Sequence, residues 1–521
     1  MNAQSLSART ATAARTRPGL VSTEACATIR DRSWISWKRD VAATCRRGRS
    51  IAVIEKFSTG IEGLDRLTDG GFTRGSAYII QGPPGAGKTI LANQFCYSHI
   101  LGGGRALYMT LLAESSERMQ NYIRQLAFFD ERAVPDTLQY VSGYGVLERD
   151  GLPGLLKLVQ HEIRRHNASV MVLDGTFVAQ STASEQEFRK FIHSLQGVAG
   201  LANAVLVMLT HQTREAGTSP EHTMIDGWIE LCDETQGFRA YRTIQVKKHR
   251  GGAVLRGKHE FSITRRGIGV YPRLETCVEV EPSPYASSAR LRSGIDTLDD
   301  LFDGGVPAGS STLVLGPTGS GKTTLGLHFL SQASAEEPAL MLGFYETPAR
   351  LRAKGRSIGL DLDRLIDSGA LQVMWQPPSE NIVDALGEEL IAQARRMGAK
   401  RVFVDGLVAI RDNLIIPQRL PMVINALSAN LRDIGATMMY TSEIAQLDLA
   451  ETRMPADQLS AMVSNVLVLN YRRPEGAFRR HLSIVKLRDS DFDPRSREFH
   501  VTAKGIAFGP DPRLADAGHA S

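Results

Sequence analysis

The chain has 521 residues, 42% of them hydrophobic, with 61 Lys and Arg against 56 Asp and Glu and a formal net charge of +5. That length suits two large domains or three smaller ones, the composition is that of a soluble globular protein, and the charge is too balanced to argue for a nucleic-acid binder by itself. Five cysteines, Cys26, Cys45, Cys96, Cys232 and Cys277, form no CxxC pair. This speaks against a disulfide scaffold or zinc module and suits a reducing, cytoplasmic setting. No run of about 18 apolar residues occurs, so no transmembrane helix is expected.

Residues 1–52 stand apart, with Arg9, Arg15 and Arg17, many Ala, Ser and Thr, and no acid before Glu24. Transit peptides and disordered basic tails share this composition. A basic tail is the expectation, and the fold begins after it.

From there the chain alternates strand and helix signals. SAYIIQG is a short apolar run into a Gly-rich loop, and ILANQFCYSHIL reads as the helix that comes next. RALYMTLL, SVMVLD and AVLVMLT are further buried strands, with LLKLVQHEIRRH and EFRKFIHSLQGV at helical spacing between them. After the Pro- and Ser-containing stretch ETCVEVEPSPYASSAR, the runs STLVLG, PALMLGFY, RVFVDG and TMMYTS repeat the order. The repetition is also literal. Gly60 to Leu91 aligns without a gap on Gly294 to Leu325, with about half the positions identical. Lys248-His-Arg250 answers Lys486-Leu-Arg488, and Glu260-Phe261 through Gly267-Ile268 answers Glu498-Phe499 through Gly505-Ile506. A whole domain has been duplicated, giving a tandem pair rather than a solenoid. The expected boundaries are a basic extension at 1–52, domains at 53–284 and 285–510, and a short tail at 511–521. Each domain should be α/β, a mostly parallel sheet covered by helices on both faces.

GPPGAGKT at Gly82 to Thr89 and GPTGSGKT at Gly316 to Thr323 both fit G-x-x-x-x-G-K-[ST] between a strand and a helix. In such a loop the glycines let backbone N–H groups turn around phosphate oxygens, the lysine reaches the β and γ phosphates, and the hydroxyl holds Mg²⁺. The next helix places its positive end on the phosphates. Expected nucleotide-binding residues are therefore Gly82, Pro83, Gly85, Ala86, Gly87, Lys88, Thr89 and Ile90. In the second copy they are Gly316, Thr318, Gly319, Ser320, Gly321, Lys322, Thr323 and Thr324. Asp174 and Asp405 end apolar strands, where an acid completes the metal site with Thr89 and Thr323. ATP and Mg²⁺ are the expected cofactors.

Gly175 and Gly406 come directly after those acids, so a catalytic carboxylate must come from elsewhere. Recombinase-like ATPases, which this pattern resembles, carry a Glu at the end of the strand after the loop helix. Glu346 follows ALMLGFY in that position and is the candidate to polarise water. In the first copy the ungapped alignment puts Ala113 opposite Glu346 and Glu114 one residue further. A one-residue slip reverses side-chain direction in a strand, so Glu114 is the weaker candidate. An acid that merely begins the next helix is the bland alternative for both. Lys248 and Arg250, like Lys486 and Arg488, lie two apart on strand-like segments. Each pair could neutralise γ-phosphate charge or simply protect an edge strand.

Together the tandem loops, strand-end acids and late Lys-x-Arg segments resemble the KaiC family of clock ATPases from roughly Phe57 onward. The resemblance implies two tandem RecA-like domains, a two-tiered homo-hexamer with ATP between subunits, and Lys248, Arg250, Lys486 and Arg488 reaching a neighbour's nucleotide. It also implies autokinase activity on a Ser-Thr pair in the second domain. In DQLSAMVSNVLVLNY that pair falls on Ser460 and Ala461, so one phosphosite at most remains. Adjacent acids at the strand end are replaced by Ala113-Glu114 and Glu346-Thr347. The short stretch after Ile506 sets the expectation that no KaiA-type partner is needed, leaving a KaiB-like or other signalling partner. The alternative reading is a RecA- or RadA-like ATPase acting on DNA. The candidate channel loops HQTREAGTSPEHTMIDGW and SEIAQLDLAETRMPADQ are too acidic to favour phosphate backbones.

Overall fold

The computed structural model describes residues 55–113, 116–211, 220–278, 289–444, 459–473, 477–488 and 492–509. The extension at 1–52, Glu114, the boundary near 285 and the tail at 511–521 lie outside the described residues.

The chain builds the same architecture twice. In the first half, β1 (Lys56–Phe57) and β2 (Phe72–Thr73) form a small ribbon. Next come β3 (Ala77–Gln81), β4 (Ala106–Thr110), β5 (Leu138–Ser142), β6 (Val170–Asp174), β7 (Val205–Thr210), β8 (Gly227–Gln236), β9 (Arg239–His249), β10 (His259–Thr264) and β11 (Gly267–Tyr271). These nine form one sheet in the order β11-β10-β9-β8-β3-β7-β6-β4-β5. The run from β5 to β8 is parallel, and β8 to β11 is antiparallel. The second half opens with the ribbon β12 (Arg290–Leu291) and β13 (Val306–Pro307). Its sheet contains β14 (Ser311–Gly316), β15 (Ala339–Gly343), β16 (Leu371–Trp375), β17 (Arg401–Asp405), β18 (Thr437–Glu443), β19 (Asn465–Arg472), β20 (Arg479–Leu487), β21 (Arg497–Thr502) and β22 (Gly505–Phe508). Their order, β16-β15-β17-β18-β14-β19-β20-β21-β22, is that of the first sheet strand for strand.

The parallel strands are apolar on both faces because helices cover both. Tyr78, Ile80, Val170, Val172, Val205 and Val207 pack into one core, and their neighbours Ala77, Ile79, Met171, Leu173, Leu206 and Met208 into another. The second sheet divides in the same way, Leu313, Leu315, Val402 and Val404 on one side and Val314, Phe403 and Met439 on the other. The strand expectations for both copies hold, and so does the fold class. Among the described residues no helix is long and apolar enough to cross a membrane.

The two halves meet through buried and half-buried polar groups. Arg419 is 6% exposed and donates to both carboxylate oxygens of Glu275, at 2.9 Å each, and to Asp384 at 2.8 and 3.1 Å. Asp384 also accepts from the Leu274 backbone N–H at 3.1 Å. Arg239, the first residue of β9, donates to the carbonyl oxygens of Asn413 (2.6 Å) and Asn381 (2.9 Å).

Glu260 is 4% exposed, and its Oε1 finds no hydrogen-bond partner among the described residues. Burial, reinforced by the charge of Asp384 and opposed by Arg239 and Arg419, pushes its carboxyl from 4.5 up to about 7. The folded chain therefore holds this proton more tightly than the unfolded chain. The group's contribution is fully present below pH 4.5 and is lost as pH rises to about 7. Compared with Glu260→Gln, the wild-type protein should lose about 3 kcal/mol across that window. Denaturation of both proteins from acid to mildly alkaline pH checks this, and parallel curves would refute it.

Candidate functional site

Both phosphate loops sit at the C-terminal end of the central strand of their sheet, β3 between β7 and β8 and β14 between β18 and β19. The helices Lys88–Leu101 and Lys322–Ser331 start from Gly87 and Gly321, whose φ values of +98° and +107° favour glycine. Gly82 and Gly316 are required for another reason. A Cβ on Gly82 would come within 2.5 Å of the Leu231 carbonyl oxygen, and one on Gly316 within 2.7 Å of that of Leu469.

Within these loops the lysines behave alike. Lys88 Nζ donates to the carbonyl oxygens of Gly82 (2.7 Å) and Pro83 (2.8 Å), and Lys322 Nζ to those of Gly316 (2.8 Å) and Pro317 (2.9 Å). Burial lowers both ammonium pKa values, opposed in the first site by Asp174 and in the second by Glu443 and Asp405. The strand-end acids lie opposite. Thr89 Oγ1 approaches Asp174 Oδ2 at 3.4 Å, and Thr323 Oγ1 donates to Asp405 Oδ2 at 2.8 Å. Burial raises both carboxyl pKa values, and donated hydrogen bonds offset part of that cost. A hydroxyl and a carboxylate brought together beside a buried lysine are hard oxygen donors of the kind that hold Mg²⁺ with phosphates. The residues present fit that ion.

A cavity of about 270 Å³ opens on the first loop and includes Gly85, Lys88, Thr89, Asp174 and His211. One of about 360 Å³ opens on the second and includes Gly319, Lys322, Thr323, Glu346, Asp405 and Arg480. Glu346 thus stands in the second cavity. Its Oε1 accepts from Lys354 Nζ at 2.9 Å, while Oε2 is buried without a hydrogen-bond partner among the described residues. Strand register supports the comparison of copies. Thr110 pairs with Asp174 as Gly343 pairs with Asp405, so three residues on, Ala113 takes the place of Glu346. Ala113 is the last residue described before the gap that contains Glu114.

The Lys-Arg pairs close a different part of each copy. β9 carries a bulge at Lys247, and β20 carries one at Val485, because the pairing slips by one residue opposite Trp228/Ile229 and Val466/Leu467. An extra residue bends the strand and re-aims the side chains beyond it. Lys248 Nζ then donates to the carbonyls of His222 (3.2 Å) and Thr223 (2.7 Å), and Lys486 Nζ to those of Ser460 (2.6 Å) and Val463 (2.8 Å). Arg250 approaches Asp226 at 3.4 Å, and Arg488 donates to the Ala461 carbonyl at 2.9 Å. Ser460 is half-buried on the short helix Leu459–Met462.

Several cavity residues escape a reading of the sequence. Lys354 and Glu443 are charged residues outside any motif. Glu443 accepts from the Thr318 hydroxyl, inside the loop itself. Thr441 lies near the end of an apolar strand, as Asp405 does, so the strand-end argument could have found it. Tyr108 lines neither cavity but donates to Asp174 from behind it, and in the middle of an apolar strand it reads as core.

A family model described as "ATPase: KaiC" matches residues 57–275 and again 291–513. The chain is similar to the circadian clock oscillator protein KaiC 1 of Synechocystis sp., 26% identical over 466 residues, 87% of this chain and 88% of that protein. It is 27% identical to the circadian clock oscillator protein KaiC of Picosynechococcus sp. over 481 residues, 89% of this chain and 92% of the relative. The KaiC of Thermostichus vulcanus is also 27% identical, over 475 residues, 88% of this chain and 89% of its own.

Proposed function

The chain belongs to the KaiC ATPase family, and from that premise we propose that it is a cytoplasmic, magnesium-dependent ATPase with two sites per chain, one in residues 53–284 and one in 285–510. It works as a homo-hexamer with a signalling or clock-like output, through a KaiB-like or other partner protein. The observation that carries this reading is the duplicated constellation of loop lysine, threonine hydroxyl and strand-end acid, at matching positions in two identically ordered sheets.

The loop N–H groups and Lys88 or Lys322 bind and orient the triphosphate. Thr89 with Asp174, and Thr323 with Asp405, hold the magnesium ion, which when bound offsets charge on the phosphates. At the second site Glu346 Oε2 accepts a proton from attacking water while Lys354 fixes the carboxylate's other oxygen. Lys248 with Arg250, and Lys486 with Arg488, complete a neighbour's site across the ring. Lys486 holds the Ser460 backbone at 2.6 Å, so a lysine that reaches the neighbouring γ phosphate brings Ser460 with it. This supports Ser460 as an autophosphorylation site.

Incubation with Mg-ATP should yield a particle of six chains and a phosphate on Ser460 that Ser460→Ala abolishes, read by native and intact mass. Turnover without any phosphoprotein would remove the kinase, and full turnover by a monomer would remove the ring.

A further inference from the structure

The two metal acids are steadied by different hydroxyl groups, arriving from opposite neighbouring strands. In the first site Tyr108, fully buried on β4, donates its phenol hydrogen to Asp174 Oδ2 at 2.7 Å. The same polar group of side chains ties down the other half of the metal pair. Tyr140 lies beside Tyr108, with ring centroids 5.5 Å apart, and donates to Asn93 Oδ1 at 2.8 Å. Asn93 Nδ2 donates in turn to the Thr89 carbonyl at 2.8 Å.

None of this recurs in the second copy. Its β15 places Met341 where β4 has Tyr108, two residues before the residue paired with the acid. Leu327 stands five residues after Lys322, as Asn93 stands five after Lys88. Asp405 is held from the other side. Thr441 of β18 donates to Asp405 Oδ1 at 2.6 Å and accepts from the Gly406 N–H at 2.8 Å. The residue paired with Asp174 on the equivalent strand β7 is Leu209, which has no hydroxyl. The exchange is reciprocal: Tyr108 with Leu209 in one copy, Met341 with Thr441 in the other.

A ligand carboxylate binds well only when held in the right orientation, and removing the group that holds it typically costs about 10–100-fold in metal affinity or activity. We infer that Tyr108 and Thr441 are the positioning residues for the metal acids of the first and second sites respectively, so that each site's divalent-ion affinity is set by its own hydroxyl. This rests on the proposal that both sites bind nucleotide with a divalent ion. Wild-type protein lacking two Mn²⁺ sites per chain in the presence of a non-hydrolysable ATP analogue would overturn that reading first.

With those two sites present, Mn²⁺ titration followed by electron paramagnetic resonance separates the roles. Tyr108→Phe should weaken one class of site about tenfold and leave the other unchanged. Thr441→Val should weaken the complementary class, and Thr441→Ser should restore it. Metal-free binding of the analogue should be unaffected in all three. Tyr78→Phe removes an equally buried hydroxyl from the same core, one that meets the Thr73 N–H at 2.8 Å and His249 Nδ1 at 3.2 Å rather than Asp174, Asn93 or Thr89, and serves as the packing control, with wild-type Mn²⁺ affinity. Equal weakening of both classes by Tyr108→Phe, or the same loss from Tyr78→Phe, would overturn the inference, as would unchanged Mn²⁺ affinity in either Tyr108→Phe or Thr441→Val.

Discussion

Glu346→Gln is expected to slow hydrolysis at the second site by about 10²–10³-fold while leaving nucleotide binding there intact. General-base assistance by a positioned carboxylate is worth about 10²–10⁴-fold, and glutamine keeps the shape while losing the basicity. The carboxylate is well placed to show such an effect. One oxygen is engaged by Lys354 at 2.9 Å, and the other is buried without a hydrogen-bond partner among the described residues, in the cavity that holds Lys322, Thr323 and Asp405. Steady-state turnover of the whole chain would hide the loss beneath the first site. The measurement is therefore a single-turnover assay in a Lys88→Ala background, where only the second loop binds. Unchanged turnover there would strip Glu346 of its role and return it to a partner for Lys354. The complementary experiment, Glu114→Gln in a Lys322→Ala background, tests whether the first site uses the acid displaced by one residue from Ala113.

The largest stability effect is expected at Arg419. Arg419 is 6% exposed, and its guanidinium lies between Glu275 and the fully buried Asp384. Arg419→Ala leaves Asp384 charged, buried and without its countercharge, which costs about 3–5 kcal/mol. Replacing Arg419 with Met and Asp384 with Asn together should cost less, because the fully buried carboxylate is gone and the one left on Glu275 still has Arg273 at 3.7 Å. A two-domain chain does not unfold in a single step, so calorimetry of the separate transitions is the appropriate measurement. A loss below about 1 kcal/mol for Arg419→Ala would place the pair among weakly contributing surface ion pairs.

The parts of this protein that are legible in its sequence are those whose chemistry is local. Lys88, Thr89, Lys322 and Thr323 announce themselves because a loop, its strand and its helix are contiguous. Asp174 and Asp405 do so because a carboxylate closing an apolar run is costly to desolvate and rarely sits there without a cation to meet. The parallel strands are equally plain, since burial on both faces leaves an unbroken apolar stretch such as VMVLD. The edge strands β5 and β16 are not. LQYVS and LQVMW are half-buried and mix polar with apolar residues, and at that length periodicity alone decides little. Tyr108 stays hidden because its importance depends on which strands become neighbours, and the position of Thr441 near a strand end is the one signal that could have exposed it. Arg419, Asp384 and Glu275 stay hidden because only the meeting of the two halves removes them from water.

Strand β9 touches both halves of the chain. Its first residue, Arg239, grips the carbonyl of Asn413, the last residue of the helix Leu407–Asn413 that begins just after Asp405 and Gly406. Ten residues along it lies His249, between Lys248 and Arg250. At about 3.3 Å per residue the strand is a stiff strut of roughly 33 Å. Its foot stands on the element just past Asp405, and its tip bears the basic pair of the other half. A shift of that helix as the second site turns over would move the footing of the strut. The two copies are then less like two engines on one chassis than like one engine with a connecting rod.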